Sequence, residues 1–265
     1  MRLIAVAAVL SAILAVPPAR AADDDAARAE RWHDLAAAIF DGRQPAELPG
    51  WVQIEAPARA EDAALVPVTL KLAADRPIRA VYLIVDENPS PVAARILFGP
   101  AADWRKLTLR VRVDQYTNLH AVVEAEDGRL IATARYIKAT GGCSAPGAEA
   151  PELALQGAGR MKLRLLPGED EGTARAELLI RHPNFNGMQM DQLTRLTTPA
   201  RYLNSIEVTY NGRLVFHMDA DISLASDPAI GFGFQPGGGG TLTVQAADTA
   251  AARWQQAFPV AAHGT

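Results

Sequence analysis

Apolar and polar residues alternate with a period of two along most of this chain, which predicts strands with one buried face. In the first half, about seven such segments are found, at 51–55, 66–72, 78–85, 92–98, 107–113, 118–126 and 129–137. Asp127-Gly128, between the last two, is typical of a tight hairpin turn. Seven short strands in ~90 residues, with turn residues between them, are typical of an immunoglobulin-like sandwich.

A second series of strands begins after residue 160. The same alternation predicts strands at 162–166, 174–181, 202–210, 213–218, 230–234, 241–246 and 253–258. Asn211-Gly212 is another hairpin signal, residues 182–198 form a long polar stretch, and Gly237–Gly240 suggests a mobile hairpin loop. The second half is therefore expected to repeat the architecture of the first.

One segment has a helical period instead. Trp32, Leu35, Ile39 and Phe40 recur at spacings of three, four and seven within residues 26–40, which predicts a helix with one apolar face. Gly42 and Pro45 would end it. The fold class expected is all-β: an N-terminal helical segment (22–46), two immunoglobulin-like β-sandwich domains (47–139 and 160–265), and a linker (140–159) between them.

Residues 1–21 have the form of a signal peptide. Arg2 precedes a short apolar run at 3–16, and Ala19-Arg20-Ala21 matches a small-x-small cleavage site. A retained membrane anchor is the alternative, but the run is short for a bilayer span. We therefore expect export, with no stable membrane insertion after cleavage.

Charge and motifs exclude several function classes. The formal net charge is −4 and the pI is near 5.8, which gives no electrostatic basis for binding nucleic acid. The sequence contains no GxSxG nucleophile elbow, no Walker loop, no GxGxxG after a strand and no HExxH. No catalytic constellation emerges, and we do not expect an enzyme.

The histidines and methionines suggest chemistry only weakly. His217, Met218 and Asp219, together with Met188 and Met190, could bind a soft metal, although packing within strands and loops is the simpler interpretation. His33 is expected to face solvent, and His120 to be a surface or cross-strand residue. His182 precedes Pro183 at a strand end and has no role that the sequence assigns.

The linker holds Cys143, the one cysteine of the chain. In an exported protein, a cysteine without a partner in its own chain is buried and inert, paired with another molecule, or a working thiol. Gly141 and Gly142 precede it and suggest a flexible, exposed arm that presents the thiol. No basic residue lies within four positions of Cys143, so nothing local lowers the pKa of the thiol.

These features together resemble a known family. Two immunoglobulin-like domains with a glycine-flanked cysteine resemble the SoxY–SoxZ carrier of thiosulfate oxidation, here as one chain. The first domain with Thr140-Gly141-Gly142-Cys143 is similar to SoxY. The second is similar to SoxZ through Ile180-Arg181-His182-Pro183, Thr198–Leu203, Ile206–Gly212 and Asp227–Phe234. The fused form also resembles the quinoprotein dehydrogenase-associated SoxYZ-like carriers.

The resemblance implies a function for Cys143. It would be the attachment point for a covalent sulfur intermediate in the periplasm of a Gram-negative bacterium, with no other cofactor. The implied partners are periplasmic sulfur-oxidising enzymes, or a quinoprotein (PQQ) alcohol dehydrogenase and its cytochrome. The alternatives are a non-covalent accessory module of such a dehydrogenase, with Cys143 incidental, and an intermolecular disulfide.

Three features depart from the separate-subunit pattern. Cys143 is internal, so its arm is tethered at both ends. Ser144-Ala145 follow it where the family arm has two more glycines. The export signal lacks a twin-arginine pair before the apolar run.

Overall fold

The strands of both halves form two sheets that face each other across one hydrophobic core. A computed structural model describes residues 19–145, 151–170, 172–190 and 196–261. Within these residues, the helices are α1 (Ala19–Ile39) and the short α2 (Pro151–Ala154). The strands of the first half are β1 (Val52–Glu55), β2 (Val66–Leu72), β3 (Ile78–Val85), β4 (Val92–Phe98), β5 (Ala102–Val111), β6 (Thr117–Ala125) and β7 (Leu130–Ile137).

The second half has seven strands among the described residues, in the places where alternation predicted them. They are β8 (Met161–Pro167), β9 (Ala174–Ile180), β10 (Leu203–Tyr210), β11 (Arg213–Ala220), β12 (Ala229–Phe234), β13 (Gly240–Asp248) and β14 (Arg253–Val260). The prediction of two immunoglobulin-like sandwiches is therefore confirmed. The bounds differ mainly at β5, which was expected at 107–113, and at α1, which starts earlier than residue 26.

The two sandwiches share both of their sheets. One sheet has the order β1-β2-β5-β12-β9-β8, and the other β14-β13-β10-β11-β4-β3-β6-β7. Antiparallel pairs β5–β12 and β4–β11 cross from one half to the other. We call these two strand pairs the seam. Its hydrogen bonds make the halves one continuous structure, which the sequence pattern had not indicated.

Glycines in β12 explain how close the halves come at the seam. A Cβ at Gly231 would lie 2.2 Å from Thr108 Oγ1, and one at Gly233 would lie 2.6 Å from the carbonyl oxygen of Asp103. Both partners belong to β5, so a larger residue at either position would push the two strands apart. The alternation of glycine with Ile230, Phe232 and Phe234 gives β12 buried apolar residues and a bare face for this contact.

Helix α1 covers part of the outer face of the larger sheet. Ala36 and Phe40 pack with Ile84, Val122 and Leu130 in a cluster separate from the main core. The Trp32 ring stacks on His120, with 3.6 Å between ring centroids. The prediction that His120 is a surface or cross-strand residue is wrong as to exposure, because this helix covers it.

Gly237–Gly240 is not a hairpin loop, because the strands before and after it, β12 and β13, lie in different sheets. His33 is exposed, as expected. Of the helices that the structure describes, none has the length and hydropathy of a membrane span. Residues 1–18 of the predicted signal peptide lie outside the described part of the chain.

Candidate functional site

Cys143 lies in a buried turn, not on an exposed arm. The chain leaves β7 at Ile137, and the Gly141 N–H then donates to the carbonyl of Asp114 at 2.8 Å, while the Gly142 N–H donates to that of Val113 at 3.0 Å. Cys143 itself is 0% exposed. The expectation that residues 140–159 form an exposed linker is therefore wrong at its beginning, because residues 141 and 142 are hydrogen-bonded to the chain that follows β5. Residues 146–150 of that segment lie outside the described residues.

Backbone conformation and close packing, not flexibility, explain the two glycines before Cys143. Gly141 has φ +79°, a conformation that residues with a Cβ rarely adopt. A Cβ on Gly142 would lie 2.1 Å from the carbonyl oxygen of Ala63 and 2.7 Å from that of Val113. The pair allows the chain to turn and then approach the backbone of the first half closely.

The second half of the chain closes over this turn. The side-chain amide of Asn186 donates to the carbonyl of Cys143 at 2.7 Å, and its Oδ1 accepts from the N–H of Met188 at 3.0 Å. Asn186 is buried and belongs to the loop between β9 and β10. Cys143 thus lies between the two halves of the molecule.

Burial makes the Cys143 thiol unreactive in this position. Loss of solvent raises the pKa of Cys143 to about 11, and the carboxylate of Asp114 acts in the same direction, while the guanidinium of Arg112 opposes them. At pH 7 only about one thiol in 10⁴ would be ionised at such a pKa. The thiolate is the nucleophilic form, so chemistry at Cys143 requires that the turn opens.

Arg112 is the buried charge of this region. Its Nη1 donates to the carbonyls of Leu224 at 2.7 Å and Ile222 at 3.2 Å, and its Nη2 to that of Pro183 at 3.3 Å. All three carbonyls belong to the second half. Burial lowers the pKa of Arg112 to about 10, and a negative charge at Cys143 would counteract this shift. The guanidinium therefore remains charged at neutral pH.

Asn88 holds the backbone of residues 112–114 in place through hydrogen bonds. Its Nδ2 donates to the carbonyl of Arg112 and to Ser223 Oγ, both at 2.8 Å, and its Oδ1 accepts from the Asp114 N–H at 2.9 Å. Ser223 belongs to the second half, so this asparagine also joins the two halves. The segment 112–114, which receives the Cys143 turn, is thus positioned by both halves.

His182 belongs to a structural network in the second half. Its ring is fully buried, with Nδ1 2.7 Å from Asn184 Oδ1 and Nε2 3.4 Å from Asp248 Oδ2. Asp248 also accepts from Arg201 at 2.8 Å. Burial lowers the pKa of His182. Burial raises the pKa of Asp248, but the hydrogen bonds and the charge of Arg201 together with the Ala252 N–H outweigh it, so the pKa of Asp248 is below its usual value. This network packs the loop that carries Asn186.

The residues considered for soft-metal binding are not brought together. His217 lies between Asp219, at 3.1 Å, and Glu207, at 3.6 Å, whereas the next residue, Met218, is buried in the core. Met190 is exposed on the β9–β10 loop, which also carries Met188. In the described part of the chain, no group of three or more His, Cys, Asp or Glu side chains could hold a metal ion.

Two residues of the site were not found from the sequence. Arg112 continues the polar alternation of Arg110, so it looked like an exposed strand residue. Asn186 lay in a stretch described only as a polar loop. The clustering of Asn184 and Asn186 beside Pro183 was the available signal, because asparagine side chains readily satisfy buried backbone groups in loops.

Comparison with known proteins gives two family matches. Residues 36–143 match the family of the sulfur oxidation protein SoxY, and residues 166–259 match that of the sulphur oxidation protein SoxZ. The first match ends on Cys143. No curated protein matches the chain.

Part of the chain is also similar to solved structures. The sulfur carrier protein SoxY from Chlorobium limicola f thiosulfatophilum is 30% identical, with 44% of this chain and 98% of that chain covered and a TM-score of 0.37. A superoxide reductase (neelaredoxin) from Ignicoccus hospitalis is 20% identical over 33% of this chain and 79% of that one, with a TM-score of 0.29. At TM-scores of 0.37 and 0.29, neither structural likeness says anything of function.

Proposed function

The chain belongs to the SoxY and SoxZ families as a single-chain fusion of the two domains, and on that premise we propose that it carries a sulfur intermediate covalently on Cys143. The family membership supports a sulfur-oxidation carrier that interacts with sulfur-oxidation enzymes, and this role requires no catalytic activity of its own. The observation that supports Cys143 as the attachment point is that the SoxY match ends on this residue, the chain's one cysteine.

The carrier alternates between two positions of the Cys143 turn. In the closed position, the thiol is buried and its pKa is raised to about 11. In the open position, the thiol is solvated and its pKa returns toward about 8.5. Opening therefore raises the thiolate fraction at neutral pH by more than a hundredfold. A partner enzyme that binds the open form obtains a nucleophile that solvent oxidants rarely encounter.

Loading of the carrier requires an electron acceptor in the partner. With thiosulfate as cargo, the Cys143 Sγ–H bond is lost and a bond from Sγ to the terminal sulfur of thiosulfate forms. This step releases one proton and two electrons, so the loading enzyme must accept the electron pair. The bound intermediate then stays on Cys143 while successive enzymes act on it.

We also propose that the carrier works in the periplasm, after removal of residues 1–21. The basic start, the short apolar run and the small-x-small site support this. N-terminal sequencing of the protein from a periplasmic extract should begin at Ala22. Retention of Arg2 in the extracted protein would contradict it.

Intact-mass analysis of protein from its native host tests the carrier function. We expect a reducible sulfur-containing adduct on Cys143, absent from a Cys143→Ser variant and unchanged in a Ser144→Ala control, since Ser144 is the exposed next residue. A strain with Cys143→Ser should fail to oxidise the sulfur substrate. Unmodified thiol under all growth conditions, with normal growth of that strain, would leave the role of accessory module for a quinoprotein alcohol dehydrogenase. A reducible dimer would indicate the disulfide alternative.

A further inference from the structure

Arg112 has a feature that the carrier function does not by itself explain. It is among the largest fully buried side chains of the described residues, and it is 2% exposed. The ion pairs found among those residues do not include it, and its hydrogen bonds go to three neutral carbonyls. A buried charge is normally paired, because an uncompensated one is costly to desolvate.

The Cys143 turn lies against the backbone segment that carries Arg112. The Gly142 N–H bonds the carbonyl of Val113, the residue after Arg112, at 3.0 Å. From the other side, Nη2 of Arg112 bonds Pro183 while Asn186, three residues later in the same loop, bonds Cys143. The same two chain segments therefore enclose the guanidinium and the cysteine.

Among the described residues of the unloaded carrier, the positive charge of Arg112 has no anionic counterpart. The thiol is protonated at neutral pH because burial raises its pKa, so Cys143 contributes no negative charge. The nearby carboxylate of Asp114 is only half-buried, and it forms no ion pair with Arg112 among the described residues. An anionic group attached to Cys143 would supply the missing negative charge.

We propose that Arg112 is the counter-charge for an anionic group carried on Cys143, so that the charge of the cargo sets how strongly the loaded turn closes. This inference rests on the proposed carrier function, and Arg112 acts in it as a positioning residue. Sulfur intermediates that end in a sulfonate or a persulfide anion would favour the closed position. A neutral or cationic adduct would leave the guanidinium unpaired and the turn more open.

The test uses adducts of similar bulk and opposite charge on the full-length protein. Methanethiosulfonate reagents attach either a 2-sulfonatoethyl or a 2-(trimethylammonio)ethyl group to Cys143 as a disulfide, with methanesulfinate as the leaving group. For each adduct, the rate of release by dithiothreitol is measured on the protein and on a peptide of residues 140–147, and the peptide rate is divided by the protein rate. This ratio is a protection factor, and it removes the effect of adduct charge on the reductant.

We expect the protection factor of the anionic adduct to exceed that of the cationic one by at least tenfold, equivalent to about 1.4 kcal/mol. In Arg112→Gln the two factors should become equal. Arg110→Gln is the matched control, because it removes the same charge from an exposed position in β5, two residues before Arg112, and it should leave the tenfold difference intact. Equal factors in the wild type, or an unchanged difference in Arg112→Gln, would overturn the proposal.

A second variant covers the case in which Arg112→Gln fails to fold, and the chemical adducts separate this test from the test of the carrier function. If Arg112→Gln does not fold, as judged by circular dichroism, Arg112→Lys and the wild-type comparison decide the question. In Arg112→Lys, which keeps the charge, the anionic adduct should still be the better protected, and equal factors there would count against the proposal. Because the adducts are attached chemically, this test can fail while a native sulfur adduct is found on Cys143. The reverse result, charge-dependent protection without any native adduct, would instead reject the carrier function.

Discussion

The hydrogen bond from Asn186 to Cys143 gives a quantitative prediction for the opening of the turn. Asn186→Ala removes the donor that bonds the Cys143 carbonyl at 2.7 Å. In the closed position that carbonyl is then left without this partner, which costs about 1–3 kcal/mol for a buried group. In the open position water replaces the amide at little cost. The opening equilibrium should therefore increase by about 5- to 140-fold, at about 1.4 kcal/mol for each factor of ten.

Alkylation of the thiol measures this equilibrium. Iodoacetamide reacts with Cys143 only when the turn is open, so the rate is the opening constant multiplied by the rate for a free thiol. Three hydrogen bonds close the turn, from Gly141, Gly142 and Asn186. At about 0.5–1.5 kcal/mol each, they should slow wild-type labelling by about 10- to 1,600-fold relative to a peptide of residues 140–147. Asn186→Ala should recover most of that loss.

A loss of overall stability must be separated from opening of the turn. Tyr210→Phe is the control, because the Tyr210 hydroxyl donates to the carbonyl of Pro236 in the second half, at the other end of β10 from the Asn186 loop. It should lower the denaturant midpoint without changing the labelling rate under native conditions. Labelling of Asn186→Ala at the wild-type rate, or of the wild type at the peptide rate, would refute this account of the buried thiol.

Three further predictions follow from the same geometry. Gly142→Ala should raise the labelling rate of Cys143 by at least tenfold, because the added Cβ would clash with two carbonyl oxygens. Gly141→Ala adds only the backbone strain of φ +79°, about 1 kcal/mol, and should raise the labelling rate about fivefold. The folded chain binds the thiol proton more tightly than the unfolded chain does, since the pKa of Cys143 is raised to about 11. This contribution to stability is fully present below about pH 8.5 and is lost as pH rises toward 11. The chemical denaturation midpoint of Cys143→Ala should therefore fall less over that pH range than the midpoint of the wild type, and an equal fall in both proteins would contradict this prediction. Burial lowers the pKa of His182, so its contribution is present above about pH 6.5 and is lost as pH falls below that value; His182→Gln should remove the fall in midpoint between pH 6.5 and 5 that the wild type shows, and an equal fall in both proteins would disprove the assignment.

The strands could be predicted from the sequence because alternation is a local signal. A half-buried strand places every second side chain in the core, and Val66 to Leu72 shows this directly in its buried positions. The sharing of sheets could not be predicted in the same way. It depends on which edges meet, and the glycines at 231 and 233 become informative only once β5 is known to lie beside them.

The sequence predicted an exposed Cys143, whereas the structure buries it, and the reason is again that the deciding contacts are not local. Glycines beside a cysteine are compatible with an exposed arm and equally with a backbone that must approach another closely. The contacts that decide between these come from Ala63, Val113 and Asn186, which are all distant from Cys143 in the sequence. His120 was misjudged similarly, because helix α1 covers a strand face whose alternation does not reveal it.

The fusion restricts how far Cys143 can travel when the turn opens. On the N-terminal side, the Lys138 N–H bonds the carbonyl of Ala58, and Lys138 pairs with Arg59 in an isolated bridge. If Ala139 stays in place with these contacts, four residue steps of at most ~3.6 Å separate it from Cys143, a reach of about 14 Å. A chain that also continues into α2 and β8 gains no reach from its other end. The backbone of Cys143 therefore stays within about 14 Å of Ala139 when a partner enzyme binds the thiol, which favours a shallow site close to the docking surface over a deep tunnel.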